Sequence, residues 1–133
     1  MDVLDRQRKL QERMRQQGIG GFLVTQNVDL YYFTGSMQGG YLFIPSEGNA
    51  RFYVRRSVER AAVESASPVE PLGSFRQFGE RLRRDFPAVF DTGSVTLATE
   101  YDVLPVQQFE RLRSLFPAEV RWTDGSALVR ELR

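Results

Sequence analysis

Cysteine and histidine are both absent from the 133 residues of this chain. Without cysteine, disulfides, thiolate zinc sites and cysteine nucleophiles are excluded. Without histidine, Ser-His-Asp catalysis, imidazole general bases and imidazole metal ligands are excluded together. Any acid, base or nucleophile must come from Asp, Glu, Lys, Tyr, Ser or Thr. A surplus of either charge is also lacking, since 18 basic and 17 acidic residues leave a formal net charge of +1. That balance gives no long-range field to gather nucleic acid or anionic lipid. The sequence has no apolar run long enough to cross a bilayer. Nor does an apolar stretch follow the charged opening residues Asp2, Asp5 and Arg6, as a secretory signal would require. The expected location is the cytoplasm, with neither membrane nor nucleic acid as partner.

What is present is ordinary for a globular protein: 41% hydrophobic and 26% charged residues. A chain of this length fits one domain and buries about two thirds of its unfolded surface. Val3, Leu10 and Met14 fall at helical spacing, with Gly18 as a stop. Residues 21–25 form a short apolar run expected as a buried strand. Asn27 can cap a helix that Gly35 ends. Two aromatic strands, 41–44 and 51–54, flank the turn residues 46–49. A helix over 55–65 should turn Val58, Ala61 and Ala62 inward, and 69–72 suits an edge strand because Pro71 cannot donate to a central ladder. Phe75, Phe78, Leu82 and Phe86 mark one helical face; Val106, Phe109, Leu112 and Phe116 mark another. Strands are expected at 94–98 and 119–122, and Asp124 can cap a last helix carrying Leu128 and Leu132. This alternation predicts an α/β fold, a mixed sheet with helices on both faces.

Few residues suggest chemistry. Gly18, Gly20 and Gly21, and likewise Gly39 and Gly40, precede strands, whereas phosphate-cradling glycine loops follow a strand and open a helix. Glu100 and Asp102 flank Tyr101 after a predicted strand end, and Asp91 precedes a strand; such carboxylates can do acid/base work or can be solvated or capping groups. Arg51, Arg55 and Arg56 form one basic cluster beside Phe52 and Tyr53. Arg81, Arg83 and Arg84 form a second, which reads as the outer face of a helix. The most distinctive segment runs from Asn27 to Tyr32-Phe33-Thr34-Gly35.

That segment lies between the opening helix with its strand Phe22-Leu23-Val24-Thr25 and the hairpin 41–54. With the terminal stretch 128–133, it resembles the N-terminal domain of the creatinase/prolidase/aminopeptidase P family over the whole chain. The resemblance implies a three-layer α/β/α domain with a mixed, ribonuclease-H-like sheet over residues 1–133. It implies a non-catalytic domain of a metal-dependent Xaa-Pro peptidase, contributing to dimerisation and substrate access. The alternative it carries is a protein- or peptide-binding module of an inactive family member. No residue here inherits a catalytic role, and no cofactor is expected in this chain. Two divalent metal ions, such as manganese, cobalt or zinc, are expected on a pita-bread domain after residue 133, which the amphipathic final helix anticipates. The implied partners are that C-terminal domain, a second copy in a homodimer and a Pro-containing peptide. By position, Thr34, Gly35, Ser36 and Met37 are the substrate-proximal candidates. Phe33 replaces the family's usual Leu. Ser36 stands where many members carry an aromatic, which implies a different specificity or a missing pocket.

Overall fold

The computed structural model describes residues 2–91 and 94–133. Six strands form one mixed sheet in the order β4-β3-β2-β1-β5-β6. They are β1 (Gly21–Val24), β2 (Gly40–Pro45), β3 (Arg51–Val54), β4 (Val69–Pro71), β5 (Thr96–Thr99) and β6 (Arg121–Asp124). The β1–β2 and β2–β3 pairs are antiparallel. The β1–β5, β3–β4 and β5–β6 pairs are parallel. The helices are α1 (Val3–Gln16), α2 (Asn27–Thr34), α3 (Val58–Glu64), α4 (Phe75–Asp85), α5 (Pro87–Asp91), α6 (Val106–Arg113) and α7 (Ser126–Leu132). They lie on both faces, so the expected three-layer α/β architecture with a mixed sheet is observed.

The pleat sorts the strand residues into two cores. Phe22, Val24, Leu42, Ile44, Phe52, Val54 and Ala98 face α1, α2, α3 and α7, where they meet Leu10, Met14, Leu30, Phe33, Ala61 and Leu128. Leu23, Tyr41, Phe43, Tyr53 and Leu97 point the other way, against Phe78, Leu82, Phe90 and Leu112 of α4, α5 and α6. Because helices cover both faces, Phe52 and Tyr53 are both fully buried although they are adjacent. Burying each such aromatic contributes roughly 2–3 kcal/mol relative to leaving it exposed.

Local chemistry sets most helix ends. Asp2 accepts a bond from Asp5 N at 2.8 Å to open α1, and Gly18 beyond its end has φ 71°. Ser74 and Gln77 close a reciprocal capping box on α4. Several expectations need correction. Gln26, not Asn27, caps α2, accepting from Asp29 N at 3.0 Å; Asn27 is already in the first turn. Ala62 is exposed, because the seven-residue α3 turns Ala61 alone fully inward. Val106 is 75% exposed, since the first residue of α6 lies beyond the layer that Leu112 packs into. Pro87 takes the first position of α5, which its fixed φ suits. The last two strands sit about two residues later than predicted, because parallel pairing of Thr99 with Asp124 sets their register. Asp124 therefore ends β6, and it still receives Ser126 N at 3.0 Å.

Candidate functional site

The segment singled out in the sequence forms the turn from α2 into β2. Gly35 ends α2 at φ 83°, and a Cβ there would lie 3.2 Å from Glu64 O, so the position requires both the left-handed backbone and the missing side chain. Thr34 is fully buried. Its hydroxyl donates to Leu30 O at 2.7 Å and accepts from Ser36 N at 3.0 Å. Ser36 is buried too; its hydroxyl donates to Glu64 Oε1 at 2.8 Å and accepts from Gln38 N at 3.2 Å. Ala66 N donates to Thr34 O at 2.9 Å. Thr34, Gly35 and Ser36 thus spend their polar groups on the turn. Met37 is 75% exposed and is the one side chain of the four that projects well into solvent.

The carboxylates flanking Tyr101 are brought to different places. Glu100, at the end of β5, is 1% exposed. Its Oε1 accepts from Thr25 N at 2.6 Å, Thr25 Oγ1 at 2.9 Å and Gln26 N at 3.2 Å, which pins the turn from β1 into α2. Its Oε2 is buried without a hydrogen-bond partner, and Asp29 Oδ1 has none beyond its ion pair with Arg133. A proton shared between the two carboxyl groups satisfies both. Burial first, then the hydrogen bond and charge of Asp29, push Glu100 up to about 8, against the opposing pull of the Thr25 bonds, so Glu100 carries that proton at neutral pH. Arg133 Nη1 lies 3.0 Å from Asp29 Oδ1 and supplies a charge partner from the end of the chain.

Asp102 instead ties α7 to the sheet. It accepts from Ser126 Oγ and from Arg130 Nη1, both at 2.8 Å. Asp91 is exposed at the end of α5. Asp124 is held below its ordinary range; partial burial opposes this and is outweighed by bonds from Ser126 and Tyr101 N. Glu100 and Asp102 therefore do not converge on one reacting centre. Among the described residues no three Asp or Glu side chains gather as a metal ion would need, so the residues present do not fit a metal centre.

The basic clusters are largely spent within the fold. Arg51 pairs with Glu70 at 3.0 Å and Asp85 at 3.5 Å. Arg84 pairs with Asp85 at 2.8 Å and also with Glu70. Tyr53 donates to Asp85 Oδ2 at 2.7 Å, and burial followed by that bond raises the Tyr53 phenol. Arg81 donates to Leu72 O, and Arg83 lies over Phe90. Arg55 turns to Tyr41, donating to its hydroxyl at 3.1 Å. Gly20, Gly21 and Gly40 are close-packing positions, where a Cβ would strike Val95, Phe43 and the Tyr53 carbonyl respectively. Asp29, Gln108 and Arg111 were not singled out in the sequence. Asp29 carried one readable signal, a carboxylate in the first turn of a helix.

The family model for the creatinase/prolidase N-terminal domain matches residues 6–133. No match is found among curated protein sequences. Among solved structures, a prolidase from Pyrococcus horikoshii OT3 is similar at 26% identity and TM-score 0.77, over 97% of this chain and 35% of that one. The creatinase/prolidase N-terminal domain of an X-Pro dipeptidase from Streptococcus pyogenes is similar at 19% identity and TM-score 0.79, over 96% and 98%. The N-terminal domain of the cytoplasmic peptidase PepQ from Mycobacterium tuberculosis H37Rv is similar at 18% identity and TM-score 0.75, over 97% and 98%. The chain spans about a third of the length of the prolidase and nearly all of each excised domain. Among the described residues no helix is long and apolar enough to cross a membrane.

Proposed function

The chain belongs to the creatinase/prolidase N-terminal domain family, and on that premise we propose that it is the non-catalytic N-terminal domain of a metal-dependent Xaa-Pro peptidase. In this reading a pita-bread catalytic domain follows residue 133 and holds two divalent metals such as manganese, cobalt or zinc. This domain contributes to a homodimer and limits access for short Pro-containing peptides in the cytoplasm. The observation that carries the reading is the turn after α2. Its buried hydroxyls hold the backbone of residues 34–36 rigid and set Met37 outward, in the place where the family resemblance puts the substrate. A firm turn with one exposed apolar side chain suits a wall beside a site built by another domain. The chain's own carboxylates, committed to the fold, suit a domain that leaves the chemistry elsewhere.

Two measurements test this. The purified chain should not turn over a Xaa-Pro dipeptide with manganese, cobalt or zinc; metal-dependent turnover would overturn the non-catalytic assignment. In the full-length protein, Met37→Arg should raise KM for Xaa-Pro substrates while metal content stays unchanged. An unaltered KM would remove Met37 from the substrate wall.

A further inference from the structure

The second face of the sheet is not fully closed. Between α4, α6 and the strand ends at Tyr41 and Arg55 lies a cleft of about 580 Å³ lined by Tyr41, Arg55, Phe75, Gln107, Gln108 and Arg111. A smaller cavity of about 200 Å³ shares Tyr41, Arg55, Phe75 and Arg111 with it and reaches inward to Phe78. Neither lining includes an Asp or Glu. Among the described ion pairs, none involves Arg55 or Arg111. Both guanidiniums lie over a ring, Arg55 Cζ at 5.0 Å from the Tyr41 ring centre and Arg111 Cζ at 4.5 Å from that of Phe75. Stacking orients a guanidinium and leaves its N–H edge available to an in-plane acceptor.

Tyr41 sharpens the picture. It is 7% exposed. Its hydroxyl oxygen already accepts from Arg55 Nη2 at 3.1 Å and Gln108 Nε2 at 3.0 Å. With both bonds accepted, the phenol proton is directed to the cleft, where solvent or a bound acceptor can take it. The cleft therefore offers two guanidiniums outside any described ion pair and a hydroxyl donor, and its lining holds no carboxylate.

We propose that this cleft binds a small molecule bearing a phosphate group, gripped by the guanidinium edges of Arg55 and Arg111, with the Tyr41 hydroxyl donating to it. A phosphate monoester carries close to two negative charges above about pH 7, which matches two guanidiniums better than a single carboxylate does. A cleft of about 580 Å³ falls within the ordinary range for small-molecule sites and leaves room for an organic portion beyond the phosphate. The site adjoins the chain that leaves the turn at Thr34–Met37, Arg55 N donating to Gly39 O at 3.1 Å, and its argument does not depend on the peptidase reading.

The test is a titration of the purified chain with inorganic phosphate, followed by amide and side-chain NMR at pH 7.5, with chloride at matched ionic strength as control. Saturable shifts at Tyr41, Arg55, Gln108 and Arg111 are expected with phosphate and not with chloride. Arg111 is exposed, so Arg111→Gln should leave the thermal midpoint unchanged and weaken binding about tenfold or more. Tyr41→Phe keeps the ring and should weaken it less. Gln108→Glu places a competing acceptor against the Tyr41 hydroxyl and should abolish binding. Shifts that fail to saturate, match those of chloride or survive Arg111→Gln would overturn the site. Acetate binding as tightly as phosphate would overturn its assignment to a phosphate group.

Discussion

The two faces of the sheet are closed by different means. On the face covered by α1, α2, α3 and α7, buried polar side chains stitch helix to helix and helix to sheet. Gln7 donates to Phe33 O at 2.7 Å and Ser67 Oγ at 2.8 Å. Gln11 donates to Pro45 O and Gly48 O, both at 2.8 Å. The face covered by α4, α5 and α6 is closed by rings. Phe43 meets Phe86 at 4.5 Å, Phe90 meets Phe116 at 5.3 Å, and Phe78 lies between Tyr41 and Tyr53 at 5.1 and 5.2 Å. Directional bonds fix a backbone in one place; ring packing fixes volume and tolerates a gap at its margin. The first face accordingly holds the rigid turn at residues 34–37, and the second leaves the cleft at Tyr41.

The largest expected effect comes from emptying the ring-packed face. Phe78→Ala should cost about 3–5 kcal/mol in chemical denaturation, since Phe78 is fully buried and the rings on either side of it cannot collapse fully into the space. A cost below about 1 kcal/mol would mean that this face is loosely packed throughout, and the contrast would fail.

Next is the acid pair at the junction of β1, β5 and α2. The folded Glu100 carboxyl sits at about 8 against an ordinary 4.5, so the native state holds a proton that the unfolded state has released between those values. Its contribution to stability is fully present below about pH 4.5, falls as pH rises and is lost above about 8. The slope is up to about 1.4 kcal/mol per pH unit. The groups facing Glu100 are Asp29 of α2, Thr25 and Gln26 of the preceding turn, and Arg133 beyond α7, the last acting through Asp29. Glu100→Gln keeps a donor for Asp29 and should flatten the slope. Stability curves of both proteins from pH 4 to 9 decide the matter, and parallel curves would remove Glu100 as the titrating group.

How much of this was legible in the sequence follows the same division. Strands and helical faces were read from periodicity, and the two cores are largely the residues that periodicity named, such as Phe22, Phe43, Phe78 and Leu82. The turn at Gly35 was legible because its left-handed backbone restricts residue choice. What could not be read depends on partners distant in sequence. Glu100 was visible as a carboxylate after a strand, but its neighbour Asp29 is 71 positions away and meets it only because β1 and β5 pair in parallel. Arg111 sits on the polar side of a helix that reads as solvated, and only the fold brings it to Arg55 and Tyr41. The register of β6 was missed for the same reason, being set by β5 and not by its own pattern.

A smaller effect separates hydrogen bonding from apolar burial on the first face. Gln7→Leu conserves volume and adds apolar surface, yet it should cost about 1–3 kcal/mol by stranding Phe33 O and Ser67 Oγ. Because Phe33 O belongs to the last turn of α2, amide exchange at residues 34–38 should also quicken. A neutral or stabilising Gln7→Leu would show that this face, like the other, is held by volume alone.

The smallest effect belongs to the surface tie between α1 and α7. Arg13 Nη1 lies 3.0 Å from Glu131 Oε2, with side chains 35% and 62% exposed. Water and salt screen such a pair, and ordering two long side chains offsets part of its attraction. Arg13→Ala should therefore cost about 0.2–1 kcal/mol in low salt and almost nothing at 1 M salt, where the Debye length is about 3 Å. If the loss instead matches that of Gln7→Leu and persists in salt, α7 is docked by its charges. The turn at 34–37 would then owe its rigidity to the rim of the first face and not to the buried amides beneath it.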